Sequence, residues 1–244
     1  MPIGVIINAL SVVFGGIIGA VAGNKLTDNF KDKMNMIFGC CSMGMGISTI
    51  VLMENMPAVI FSVIIGTGIG LAIHLGDLIN KGAKGMQGII SKFVKTDNNK
   101  IPEADFIATL VTCIVLFCAS GTGIYGSIVS GMTGDHSILI AKSILDLFTA
   151  LIFACTLGLV VSIVAIPQFI IFLLLFVFAG FIFPLTNATM INDFKACGGF
   201  IMLATGFRMI KVKMFPTADM IPSMIIVMPI SALWVSYILP LVTG

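Results

Sequence analysis

Between Asp146 and Asp193 the chain carries no charged side chain, and from Phe169 to Phe183 it reads FIIFLLLFVFAGFIF without one polar group. A soluble domain covers its core with polar surface and carries about 25% charged residues. Here 10% of residues are charged and 58% are hydrophobic, with mean hydropathy +1.14. The bilayer is the solvent this composition fits. Uninterrupted apolar runs, as opposed to alternating ones, satisfy their backbone in lipid only as α-helices.

A spanning helix takes about 20 apolar residues. On that measure the expected fold is an all-α polytopic membrane protein with about eight spans, near 3–23, 34–52, 57–75, 104–119, 137–165, 168–186, 196–210 and 221–242. Residues 1–244 read as one integral membrane domain. The opening run, Ile3 to Gly19, lacks the basic start of a signal peptide and is retained as a span. The six cysteines show no metal-ligand spacing and read as small packing residues.

Short cytoplasmic loops are enriched in Lys and Arg. With both termini outside, one side receives Lys25, Lys31, Lys33, Lys81, Lys84, Lys92, Lys95, Lys100, Arg208, Lys211 and Lys213, which is 11 of the 13 cations. Lys142 and Lys195 are left for the other. The loop 77–103 places Ile79, Met86, Ile90 and Phe93 at helical spacing opposite its lysines, which predicts a basic amphipathic helix on the cytoplasmic membrane surface. Lipid is its expected partner. A net charge of +2 gives no reason to expect nucleic acid.

Shifted by 164 residues, the chain matches itself at 12 of the 51 positions from Ile6 to Met56, including Phe30-Lys31 with Phe194-Lys195. Spans one to three (3–75) then correspond to spans six to eight (168–242) in the opposite sense, an inverted-topology repeat of the kind secondary transporters use. The central segment, 104–165, lies between them. Gly39, Gly44 and Gly46 interrupt span two, and Gly198, Gly199 and Gly206 interrupt span seven. The strips Gly15-xxx-Gly19-xxx-Gly23 and Gly66-xxx-Gly70 read as close-packing surfaces, internal or between the copies of a homodimer.

Glycine, hydroxyls and rare charges concentrate from Ser120 to Asp146. Gly121-Thr122-Gly123-Ile124-Tyr125-Gly126 matches GxGxxG in letters, but no strand precedes it, so the dinucleotide reading fails. The expected structure is a broken or re-entrant segment over 120–134, with Gly121, Gly123 and Gly126 breaking the helix and Thr122, Ser127 and neighbouring hydroxyls offering oxygens. Asp135 is a cap or ligand at the start of the next helix. Lys142 and Asp146, four apart with Ser143 beside them, share a helix face. A charge at the centre of a span costs about 2.5–3.5 kcal/mol, so this pair is expected to face the bundle interior and to function. Asn8, in the first span, is placed to bond another helix.

Gly126-Ser127-Ile128, Gly131-x-Thr133-Gly134-Asp135-x-Ser137, Lys142-Ser143-x-Leu145-Asp146 and Gly158, with the opening Ile6-Ile7-Asn8 and Gly15-Gly16, resemble the YdfK/YqgA-type bacterial membrane proteins, a family of unknown function. The sequence departs at Ser130, where the family commonly has an acid, and at Leu147, where it has a glycine. The resemblance implies a bacterial inner-membrane protein of a kind described as a possible sodium channel or pump.

These readings converge on a membrane transport protein for a small cation, Na⁺ or H⁺, working as a channel or a gradient-coupled carrier. No organic cofactor or structural metal is expected. A scaffold or sensor is the alternative. An intramembrane protease is disfavoured because Met132 replaces the first glycine of a GxGD loop and the two aspartates lie on one segment. No catalytic residue is assigned.

Overall fold

The computed structural model describes residues 1–22, 26–93 and 103–243. In chain order the helices are α1 (Ile3–Ala22), α2 (Asp28–Ile50), α3 (Met56–Ala72), α4 (Leu75–Phe93), α5 (Glu103–Cys118), α6 (Gly121–Thr133), α7 (Ser137–Leu157), α8 (Val160–Ile182), α9 (Ala188–Met209), α10 (Pro222–Leu233) and α11 (Leu239–Thr243), the last two joined by a π turn at Trp234–Ile238. No strand occurs among the described residues. Five segments are long and apolar enough to cross a bilayer: Ile3–Ala22, Thr109–Thr133, Ser137–Leu157, Val160–Leu185 and Pro222–Val242. The bent pair α3 and α4 counts as a sixth. The chain is therefore a helical membrane protein.

The boundaries differ from expectation in three places. The span expected at 137–165 ends at Leu157, where Gly158 takes φ 73° and caps α7. A positive φ suits glycine because it has no Cβ to clash. α8 then runs through Pro167, because proline's fixed φ is helical and apolar neighbours support a helix with one hydrogen bond missing. At the span expected over 196–210 the helix begins at Ala188 instead, capped by Asn187, whose side chain accepts from the Met190 amide at 2.9 Å, and neither it nor α2 is among the segments apolar enough to cross a bilayer. Phe194 and Lys195, expected in a link, thus lie inside α9. Finally, 121–133 is a regular helix and not an unwound segment. Ser120 caps its start, accepting from the Gly123 amide at 3.2 Å, and Gly134 at φ 71° closes its end. The break falls at Ala119–Ser120.

The chain divides into two compact units, Met1–Asn35 with Asp77–Gly180, and Met36–Gly76 with Phe181–Gly244. In the first, α1 lies along α7. A Cβ on Gly15 would stand 2.2 Å from the Leu147 carbonyl oxygen, and one on Gly19 would stand 2.1 Å from that of Leu151. The pairs 15–147 and 19–151 advance together, so the two helices run parallel. α8 crosses the same helix at Gly16, where the Ser162 hydroxyl donates to the Val13 carbonyl at 3.0 Å. Val12, Leu110, Ile114, Phe117, Ala150 and Val161 form the core. α4 is amphipathic as expected, but Ala83 and Ile90 are buried in this core with Met86 against it, so its apolar face is covered by protein rather than by lipid. Lys81 and Lys84 are exposed. Lys25, Lys95 and Lys100 lie outside the described residues, as do Gly23 and the side chains of Lys92 and Phe93.

In the second unit α2 and α9 are unbroken, and Gly39, Gly46, Gly199 and Gly206 serve close approach, while Gly44 faces open space. A Cβ on Gly46 would lie 2.7 Å from the Gly199 carbonyl oxygen, and one on Gly206 would lie 2.6 Å from that of Gly39. α3 meets α10 and the turn before it in the same way, Gly66 against Ser223 and Gly70 against Asp219. Gly15, Gly19, Gly66 and Gly70 are therefore occupied within the chain, so these strips do not by themselves support a homodimer. Cys113, Cys118, Cys155 and Cys197 are buried, while Cys40 and Cys41 are exposed.

Candidate functional site

The buried charges of the first unit gather where α1, α7 and α8 meet. Lys142 and Asp146 are 4% and 6% exposed, and Asn8 and Gln168 are fully buried. One turn separates Lys142 from Asp146 on α7, and the ammonium donates to Asp146 Oδ2. The parallel packing of α1 sets Asn8 beside them, its Nδ2 donating to the same oxygen at 2.8 Å. From α8, Gln168 Nε2 donates to Asn8 Oδ1 at 2.8 Å and lies 3.4 Å from Asp146 Oδ2. Lys142 also faces the rings of Phe117 and Phe172, at 6.0 and 5.7 Å from their centroids. A cation there is attracted by the ring quadrupoles.

This arrangement keeps a charge pair inside the helices. Carboxylate and ammonium neutralise each other, and the two amides supply further hydrogen bonds, which is what a buried ion pair needs to offset its desolvation.

Of the residues expected at the site, Asn8, Lys142 and Asp146 converge. Gly123 borders them, since a Cβ there would lie 2.1 Å from Phe172 Cζ and 3.0 Å from Lys142 Cε. The remaining residues stand apart. Gly126 packs against Ile138 and Leu139. Gly121 and Thr122 form the buried first turn of α6. Ser127 and Ser143 donate to carbonyls of their own helices, Gly123 at 2.7 Å and Leu139 at 2.6 Å. Asp135 is exposed and accepts from the Ser137 amide at 3.0 Å and its hydroxyl at 2.6 Å, so it bonds the first residue of α7 from one position before the N-cap, which is His136.

Sequence reasoning left Gln168 as a structural hydrogen-bonding residue within a span and passed over Phe117 and Phe172. Gln168 carried a signal, as the one amide between Asp146 and Phe183. A second buried carboxylate was also missed. Asp193, fully buried on α9, accepts at Oδ1 from the Glu54 and Asn55 amides, each at 2.9 Å. Its Oδ2 accepts from Asn55 Nδ2 at 2.9 Å and the Ser231 hydroxyl at 2.6 Å. It closes the N-terminus of α3, so its role is structural.

A bundle of apolar helices holding a charge pair and two amides in its interior defines a polytopic helical membrane protein with a buried polar site. Residues 3–232 match the family described as Protein of unknown function (DUF554), and the chain belongs to that family. It is 44% identical over 237 residues to the Uncharacterized protein YqgA of Escherichia coli (strain K12), covering 97% of this chain and 99% of that protein. It is 25% identical over 223 residues to the Uncharacterized membrane protein YdfK of Bacillus subtilis (strain 168), covering 91% and 93%. No solved structure matches the chain.

Proposed function

We propose that the protein carries a small monovalent cation across the bacterial cytoplasmic membrane, as a channel or a gradient-coupled transporter, with Asp146 as the carboxylate that binds it. The observation that carries this reading is the Lys142–Asp146 pair, buried within the helices with Asn8 and Gln168 on the same oxygen. Intramembrane ionisable residues that face the bundle interior mark ion paths and proton relays. Na⁺ and H⁺ are the simplest cargoes for a lone carboxylate with a built-in counter-ion.

Eight crossings in inverted repeats with both termini outside belong to the same proposal. Their support is the direction of the helices within each unit: α1 parallel to α7, α2 antiparallel to α9 and α3 antiparallel to α10, as successive crossings require when α5 and α6 form one span.

The test is flux of Na⁺, H⁺ and other monovalent cations into liposomes holding the purified protein. Asp146→Asn, which keeps the shape and removes the charge, is expected to abolish it. A wild-type rate in Asp146→Asn overturns the assignment of the site.

A further inference from the structure

Gln168 Oε1 is buried and accepts no hydrogen bond among the described residues. Its neighbours force this. The Asp146 carboxylate only accepts, so Asn8 must turn Nδ2 towards it. Asn8 Oδ1 is left facing Gln168, which must answer with Nε2. The oxygen of Gln168 is thereby left without a donor, and flipping either amide would set oxygen against oxygen. The cluster has one more acceptor than its own donors satisfy, and leaving such a group unmatched costs about 1–3 kcal/mol.

A second observation concerns what lies on Asp146 itself. It is an ammonium, that of Lys142, flanked by two ring faces. Carboxylate, amide oxygen and aromatic faces together suit a weakly hydrated cation that donates hydrogen bonds. Na⁺ needs oxygens in place of its hydration shell, and the rings supply none. The hydroxyls of Ser127 and Ser143 are committed to their own helices.

We propose that the site binds a small ammonium, NH₄⁺ or a primary alkylammonium, which takes the place of the Lys142 ammonium on Asp146 as Lys142 releases one proton, and which donates in addition to Gln168 Oε1. This rests on the transport reading above and names its cargo. Lys142 is the internal competitor that keeps Asp146 neutralised when no cargo is bound.

The test is thermal unfolding of the full-length protein in detergent with methylammonium chloride, against tetramethylammonium chloride and NaCl at equal ionic strength. Methylammonium is expected to raise Tm saturably, while tetramethylammonium, which has no N–H, and Na⁺ do not. Lys142→Met should lower the half-saturating concentration at least tenfold. Gln168→Leu should raise it at least tenfold, and Gln168→Met, unbranched and of similar volume, serves if the leucine variant does not fold. No methylammonium response in wild type and Lys142→Met, an equal response to tetramethylammonium, or a wild-type response in the Gln168 variants overturns the proposal. Methylammonium uptake into liposomes separates the two readings. Saturable binding without flux keeps the site and removes transport, and flux of another cation without a methylammonium effect keeps transport and removes this cargo.

Discussion

Asn8 on α1 and Asp146 on α7, 138 residues apart in the chain, meet through a 2.8 Å hydrogen bond from Nδ2 to Oδ2 inside the first unit. The bond joins two parallel helices at the level of the charge pair. Asn8→Leu removes a donor from the carboxylate and leaves Gln168 Nε2 with one acceptor fewer. A loss of about 1–3 kcal/mol is expected, measured by denaturant titration in mixed micelles. Asn8→Asp sets a second carboxylate against the first and is expected to cost more.

Lys142 and Asp146 differ from an exposed pair in that removing either strands the other. Lys142→Met alone is expected to destabilise by about 3–5 kcal/mol. Adding Asp146→Asn should restore most of that, because the amide oxygen still accepts from Asn8 and no net charge stays buried. The check is a double-mutant cycle on unfolding free energies. Additive losses would show that the two side chains do not interact.

The helical membrane class, the inward-facing pair and the polar role of Asn8 were legible in the sequence because apolar runs and the i, i+4 spacing of Lys142 and Asp146 are local properties. The breaks were not. The five glycines in Gly121–Gly134 read as helix breakers, yet in the structure Gly123, Gly126 and Gly131 lie within α6 and make room for Phe172, Leu139 and Phe176. A glycine needed for close approach and a glycine needed for a turn look alike until the neighbouring helix is in place. Asp193 was hidden for a related reason. A charge reads as a span end, and only the amides of Glu54 and Asn55, remote in sequence, make it an interior residue.

Close approach makes its own prediction. At Gly19 an added Cβ would meet the Leu151 backbone at 2.1 Å, whereas at Gly82 nothing lies within 4 Å. Gly19→Val is expected to separate α1 from α7 and cost about 1–3 kcal/mol or more. Gly82→Ala, in the open face of α4, is expected to stabilise by about 0.4–1 kcal/mol. Melting temperatures of the two variants should therefore move in opposite directions.

Asp193 and Asp135 both bond helix N-termini, but one is buried and the other exposed. Asp135→Ala removes the exposed hydrogen bonds to Ser137 and should cost about 0.5–1.5 kcal/mol. Asp193→Ala leaves two amides, an asparagine and Ser231 without their acceptor and is expected to exceed it, with Asp193→Asn between the two. Equal losses in a denaturant series would contradict the structural role given to Asp193.

The second unit is built from Met36–Gly76 and Phe181–Gly244, with the whole span 77–180 intervening. During synthesis α2 and α3 therefore leave the ribosome long before α9 and α10, so their glycine faces, and the amides that Asp193 will hold, wait without partners until 77–180 has been made. Assembly of the second unit follows synthesis of that insert. A chain stalled just beyond Gly180 is expected to be more sensitive to protease at α2 and α3 than the 244-residue chain.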